Sequence, residues 1–166
     1  MLKKIAKAQG TAKGNYAIVA AMYNTEYTDS LVESAVRELK SASKVEILRV
    51  PGSFEIPAVA SRLTTATNPK FDAIICFGVI FQGKTSHANH IAEAVSNSLA
   101  MLQVHARLPI IHGVLHFETE EQARVRCFGT EHNRGIEAAR TAMKMVELWR
   151  ELDAKSYFAS PKKPRG

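Results

Sequence analysis

The sequence predicts an α/β fold, with a central, mostly parallel sheet flanked by helices in a three-layer sandwich. Two observations predict it. From Asn15 onward, short apolar runs alternate with longer amphipathic stretches, the pattern of repeated strand-helix units. The run from Phe71 to Phe81 is almost wholly apolar, so it reads as an inner strand covered on both faces, as parallel sheets require. A chain of 166 residues, 46% hydrophobic and 23% charged, has the size and composition of a single ordinary globular domain.

The elements follow in order. The first strand is expected over Tyr16 to Ala21. Asn24-Thr25-Glu26-Tyr27-Thr28 then leads into a helix reaching about Ser41, because Leu31, Val32, Ala35, Val36 and Leu39 fall on one face at helical spacing. Thr28 is the expected N-cap. A second strand, Val45 to Val50, stops at Pro51-Gly52, where proline cannot donate to a ladder and glycine allows a tight turn. A helix from about Glu55 to Thr65 and a loop from Thr64 to Lys70 precede the apolar strand Phe71 to Phe81, which ends by Gly83. His87 to Ala106 reads as a long helix and Pro109 to Leu115 as the last strand. Thr119 to Cys127 and Arg134 to Leu152 read as two helices separated by Gly129. The domain is therefore expected over residues 15–153. Residues 1–14, basic and weakly patterned, are expected to form a flexible or subunit-exchanged arm, and residues 154–166 a basic disordered tail.

Charge and composition narrow the function classes. Much of the net charge of +6 comes from the two ends, Lys3, Lys4, Lys7 and Lys13 in front and Lys155, Lys162, Lys163 and Arg165 behind. No stripe of basic residues interleaved with aromatics accompanies it, so a nucleic-acid partner is not expected. The longest apolar stretch, Ala73 to Phe81, is about half the roughly 20 residues a membrane-crossing helix needs. With no leader pattern at the start, the expectation is a cytoplasmic protein with no membrane partner. Cys76 and Cys127 belong to no CxxC pair and read as reduced, buried thiols.

In an open parallel sheet, ligands bind beyond the carboxyl ends of the strands, so the loops after Ala21, Val50, Phe81 and Leu115 are expected to converge. The third of these, Gln82-Gly83-Lys84-Thr85-Ser86-His87, opens a helix with small residues, hydroxyls and a cation. Backbone N–H groups at such a helix start bind phosphate, and Lys84 adds charge. His87 stands beside that site, where an imidazole can move protons near neutral pH. The stretch Gly78 to Thr85 also satisfies the nucleotide pattern G-x-x-x-x-G-K-T. Against that reading, Val79, Ile80 and Phe81 are large and continuous with the strand before them, and no downstream Asp stands at a strand end to hold magnesium. His87 and His90 share a helical face, but no adjacent carboxylate or thiolate pair completes a metal site. After Val50, an exposed Phe54 can stack on a planar ring and Glu55 can accept from hydroxyls. Equally, Phe54 can be core and Glu55 a helix-start charge. Arg126 and Arg134 bracket a turn, and either can clamp a phosphate or stand solvated.

Taken in order, these segments resemble the lumazine synthase family. The resemblance runs from about Tyr16 to Leu148. It is carried by Tyr23-Asn24 with Thr28, by Val50-Pro51-Gly52-Ser53-Phe54-Glu55-Ile56-Pro57, by Asp72-Ala73-Ile74-Ile75 leading to Gly78-Val79-Ile80, and by Gly83-Lys84-Thr85-Ser86-His87. Pro109 to Leu115, Glu121-Gln122-Ala123, Arg126 and Asn133-Arg134-Gly135 continue it. The resemblance implies a flavodoxin-like topology and the joining of 5-amino-6-(D-ribitylamino)uracil to 3,4-dihydroxy-2-butanone 4-phosphate. It implies that the pyrimidine stacks on Tyr23, bounded by Asn24, Ser53, Phe54 and Glu55, with main-chain groups of Val79, Ile80 and Phe81 at its polar edge. Lys84, Thr85 and Arg126 would hold the phosphate, His87 would transfer protons, and Gln82, Arg134 and Glu137 would be accessory. No metal or redox cofactor is implied, since holding two reactants together and moving protons suffices.

The resemblance further implies a homopentamer with active sites between adjacent subunits, an icosahedral shell in some members, and riboflavin synthase as a partner. Several positions depart from the family's pattern. Gln82 stands where an Arg is common, Ala88-Asn89-His90 replaces an aromatic-acidic-aromatic run, and His116-Phe117 replaces a threonine pair. His112 replaces a Phe that reaches the pyrimidine from the neighbouring subunit. These changes leave open a second reading, a catalytically weak flavin- or pterin-binding homologue on the same scaffold.

Overall fold

The computed structural model of the protein describes residues 13–155. In order come β1 (Asn15–Ala21), α1 (Thr25–Glu38), β2 (Lys44–Val50), a 3-10 turn (Ser53–Glu55), α2 (Ile56–Leu63), β3 (Ala73–Phe81), α3 (His87–His105), β4 (Ile110–Phe117), α4 (Glu120–Cys127) and α5 (Arg134–Ala154). All neighbouring strands pair in parallel, in the order β2-β1-β3-β4. The expected arm and tail fall largely on residues 1–12 and 156–166, outside the described residues.

Side-chain alternation along the strands builds two cores. Tyr16, Ile18 and Ala20 of β1, with Ile75 and Phe77 of β3, meet Leu31 and Leu39 of α1, Ala123 and Cys127 of α4, and Ala139 and Val146 of α5. Ala17, Val19 and Ala21, with Ile74 and Cys76, meet Ile56 and Ala60 of α2 and Val95 and Leu99 of α3. The result is a helix-sheet-helix sandwich. β3 lies between β1 and β4 and is buried along nearly its whole length, as its apolar run requires. Each of its large side chains contributes on the order of 1.5–3 kcal/mol by leaving water, so this strand fixes the register of the sheet. Both cysteines are buried and free, and burial pushes each thiol up to about 12, which keeps them protonated and inert.

The start of α1 differs from expectation. Its N-cap is Asn24, in the left-handed conformation at φ 56° and ψ 45°, which Asn tolerates better than most residues. Thr28 lies one turn inside, fully buried, and its Oγ1 donates to the Ala21 carbonyl at 3.0 Å. It ties the helix to the end of β1 instead of capping it. The G-x-x-x-x-G-K-T stretch is also resolved. Gly78 to Phe81 is ladder, paired residue by residue with Val114 to Phe117, so no loop there can wrap a nucleotide phosphate.

Candidate functional site

At the carboxyl ends of β1, β2 and β3 lies an open cavity of about 440 Å³. Tyr23 and Asn24 line it from the turn after β1, and Ser53, Phe54 and Glu55 from the 3-10 turn after β2. Val79, Ile80 and Phe81 contribute the end of β3, and Thr85 and His87 the start of α3. Three of the four expected loops thus converge.

The cavity exists because β3 outruns β1. Pairing with β1 stops at Phe77, whereas pairing with β4 continues to Phe81, so residues 78–81 extend past the inner neighbour. Asn24 reaches into that gap and its Nδ2 donates to the Val79 carbonyl at 2.7 Å. On the other wall, Ser53 is buried against Gly78, where an added Cβ would lie 2.4 Å from the Ser53 hydroxyl oxygen. Only glycine at 78 lets the 3-10 turn come so close. Glu55 closes that turn, its Oε2 accepting from the Gly52 N–H at 2.8 Å. One carboxylate oxygen is thereby spent on the fold and the other stays free for a ligand.

Exposure decides between core and contact for the aromatics. Tyr23 is 72% exposed and Phe54 61%, so neither ring is core, and both present a face to the cavity. Tyr27 is buried behind them. Its ring meets Phe81 edge-on at 5.3 Å and its hydroxyl donates to Glu120 at 2.9 Å, bracing the cavity wall from the far side. His87, Lys84 and Thr85 are exposed, and His87 is the first residue of α3. Ser86, the N-cap residue, makes no side-chain cap bond, and the His87 N–H donates instead to Oγ1 of Thr85 at 3.4 Å. Among the described residues, no three His, Cys, Asp or Glu side chains group as a metal centre needs.

A model of the 6,7-dimethyl-8-ribityllumazine synthase family matches residues 13–150, most of the chain. The chain belongs to this family. Lumazine synthases are enzymes of transferase type that act on small molecules in riboflavin biosynthesis, and the chain has its role there.

Within one chain, not every expected site residue meets His87. The turn after β4 opens on a second cavity, of about 650 Å³, which Arg126 lines with Phe117, Thr119 and Gln122. His112 lies along the edge of β4 in a third, of about 620 Å³, with Arg134 and Glu137, which pair with each other. Gln82 ends the β3-β4 ladder, its N–H donating to the Phe117 carbonyl at 2.8 Å. Gly83 of the expected phosphate loop and Ala88 also line the first cavity, as does Ile91, which was not anticipated. The position of Ile91, three residues on from Ala88 along the helix that begins with His87, is the signal that would have found it.

Proposed function

We propose that this chain condenses 5-amino-6-(D-ribitylamino)uracil with 3,4-dihydroxy-2-butanone 4-phosphate to form 6,7-dimethyl-8-ribityllumazine and release phosphate, in the cytoplasm. The observation that carries the reading is the single cavity shared by two exposed aromatic rings, the end of β3, a hydroxyl-bearing loop and His87. The pyrimidine stacks on Tyr23 beside Phe54, with the ribityl chain toward Ser53 and the free oxygen of Glu55. Asn24 acts through Val79, and the peptide groups of Val79, Ile80 and Phe81 address the ring's polar edge. Lys84 and Thr85 receive the phosphate.

The reaction opens with attack of the uracil 5-amino group on the ketone. An imine forms and water leaves, phosphate is eliminated, and ring closure with a further dehydration completes the lumazine. His87 carries protons between these steps, and most of the acceleration comes from holding both reactants in contact. Arg126, and His112 with Arg134 and Glu137, line cavities other than that of His87 within one chain. A homopentamer, the family's assembly, would set those surfaces against the first cavity of the next subunit and complete each site. Native mass measurement should therefore give five subunits or a multiple of five, and a monomer would overturn the assembly.

The direct test mixes the purified protein with both substrates and follows lumazine fluorescence, beside His87→Ala. Wild type should exceed the spontaneous reaction, and His87→Ala should lose about 10²–10³-fold in kcat. Tight lumazine binding with no excess turnover by wild type would overturn the proposal and leave a ligand-binding homologue.

A further inference from the structure

The side chain of Gln82 bridges the loop between β3 and α3. Gln82 folds its amide back over the loop, and its Nε2 donates to the carbonyl of Gly83 at 2.9 Å and to that of Thr85 at 3.1 Å. Both N–H bonds of the amide nitrogen are used, one on each side of Lys84. The other end of the residue is fixed by its backbone bond to Phe117. Among the described residues, the N–H groups of Gly83, Lys84, Thr85 and Ser86 meet no protein acceptor.

This arrangement sorts the loop's dipoles by sign. A peptide carbonyl is the negative end of its dipole, and two of them beside Lys84 would repel an approaching phosphate. Captured by Gln82, they are neutralised in place, while the positive N–H ends remain open around the same lysine. We propose that Gln82 is the positioning residue of this anion loop, and that its two donated bonds set Lys84, Thr85 and the loop N–H groups for the phosphate of the substrate. The inference rests on the reading of this loop as the phosphate side of the site.

Three variants test it. Gln82→Met is close in shape and donates nothing. Gln82→Glu turns acceptors onto both carbonyls, and Gln82→Arg restores N–H donors. Gln82→Met should raise KM for the four-carbon sugar phosphate about tenfold, the size expected for one to two lost hydrogen bonds. KM for the pyrimidine should stay within twofold and kcat within threefold. Gln82→Glu should be worse and Gln82→Arg near wild type, with inhibition by inorganic phosphate weakening in the same order. Melting temperatures identify any variant that has merely lost its fold. If Gln82→Met leaves both KM for the sugar phosphate and phosphate inhibition unchanged, or moves both substrates alike, the role of Gln82 is overturned while the reaction stands. A wild-type protein that forms no lumazine overturns the reading beneath it instead.

Discussion

The helices that frame the cavity begin differently from those that do not. α5 starts with Asn133, whose Oδ1 accepts from the N–H groups of Gly135 at 2.9 Å and Ile136 at 3.1 Å, and α4 with Thr119, whose Oγ1 accepts from Gln122 at 3.3 Å. α1 and α3 also start with capping residue types, Asn24 and Ser86, yet neither side chain caps. Asn24 spends its amide on Val79, and Ser86 makes no cap bond. The same residue types close one pair of helices and leave the other pair open. The pair without a bond from the N-cap side chain borders the cavity, where a ligand can add an acceptor, and at α3 the Thr85 hydroxyl takes only the His87 N–H.

The comparison breaks most visibly at Asn133. The side chain is buried, and its Nδ2 also donates to the Cys127 carbonyl at 2.7 Å, so it clasps the end of α4 to the start of α5. Asn133→Ala removes the cap and takes from the Cys127 carbonyl one of its two donors, the Ser30 hydroxyl remaining at 2.8 Å. The expected loss is about 2 kcal/mol, or roughly 6 °C in melting temperature. A thermal melt within about 2 °C of wild type would mean that the closed start of α5 is ornamental, and the contrast with α3 would lose its energetic basis.

A smaller effect with two opposite signs is expected at Ser86. Ser86→Asp puts a negative charge at the open start of α3, which should stabilise the helix by about 0.5 kcal/mol through its dipole. The same charge should raise KM for the phosphorylated substrate about tenfold by repulsion. A variant that gains stability with KM unchanged would show that this helix start is not kept open for an anion.

Much of this was legible in the sequence, for a physical reason. Burial periodicity is local, so the alternation of runs gave every strand and helix with ends shifted by a few residues, and the strand-end rule placed Tyr23, Phe54, Glu55, Thr85 and His87 at one mouth. Thr28 was misread because a cap depends on where the backbone turns, and the left-handed turn falls at Asn24. The nucleotide-like pattern was set aside because Val79, Ile80 and Phe81 continue the apolar strand, and the ladder does run to Phe81. Arg126 and His112 could not be gathered with His87 from one chain, since they lie on other surfaces of the sheet. The task of Gln82 had no signal in the sequence, because it consists of two hydrogen bonds that only the folded loop brings within reach.

The smallest expected effect sharpens the contrast from a third place, the edge of β4, where an imidazole rather than a cap satisfies a backbone donor. The Val114 N–H donates to Nδ1 of His112 at 3.2 Å, so that nitrogen carries no proton, and Nε2–H is left to donate to the Ser96 hydroxyl of α3 at 2.9 Å. Protonation would set a donor against the Val114 N–H. Burial of the ring also pushes its pKa below the usual 6.5. With the folded value the lower one, the unfolded chain takes up the proton first as pH falls through 6.5. The stability that neutral His112 contributes is therefore present above 6.5 and drains away toward the lowered folded value. His112→Asn keeps an acceptor for Val114 and cannot titrate. Between about pH 7.5 and 5 wild type should lose roughly 2 °C more in melting temperature than His112→Asn, the effect being limited by solvent on the open side of the ring. Parallel pH profiles for the two proteins would show that the charge state of His112 is of no consequence to the fold, leaving Val114 and Ser96 as mere neighbours of the ring.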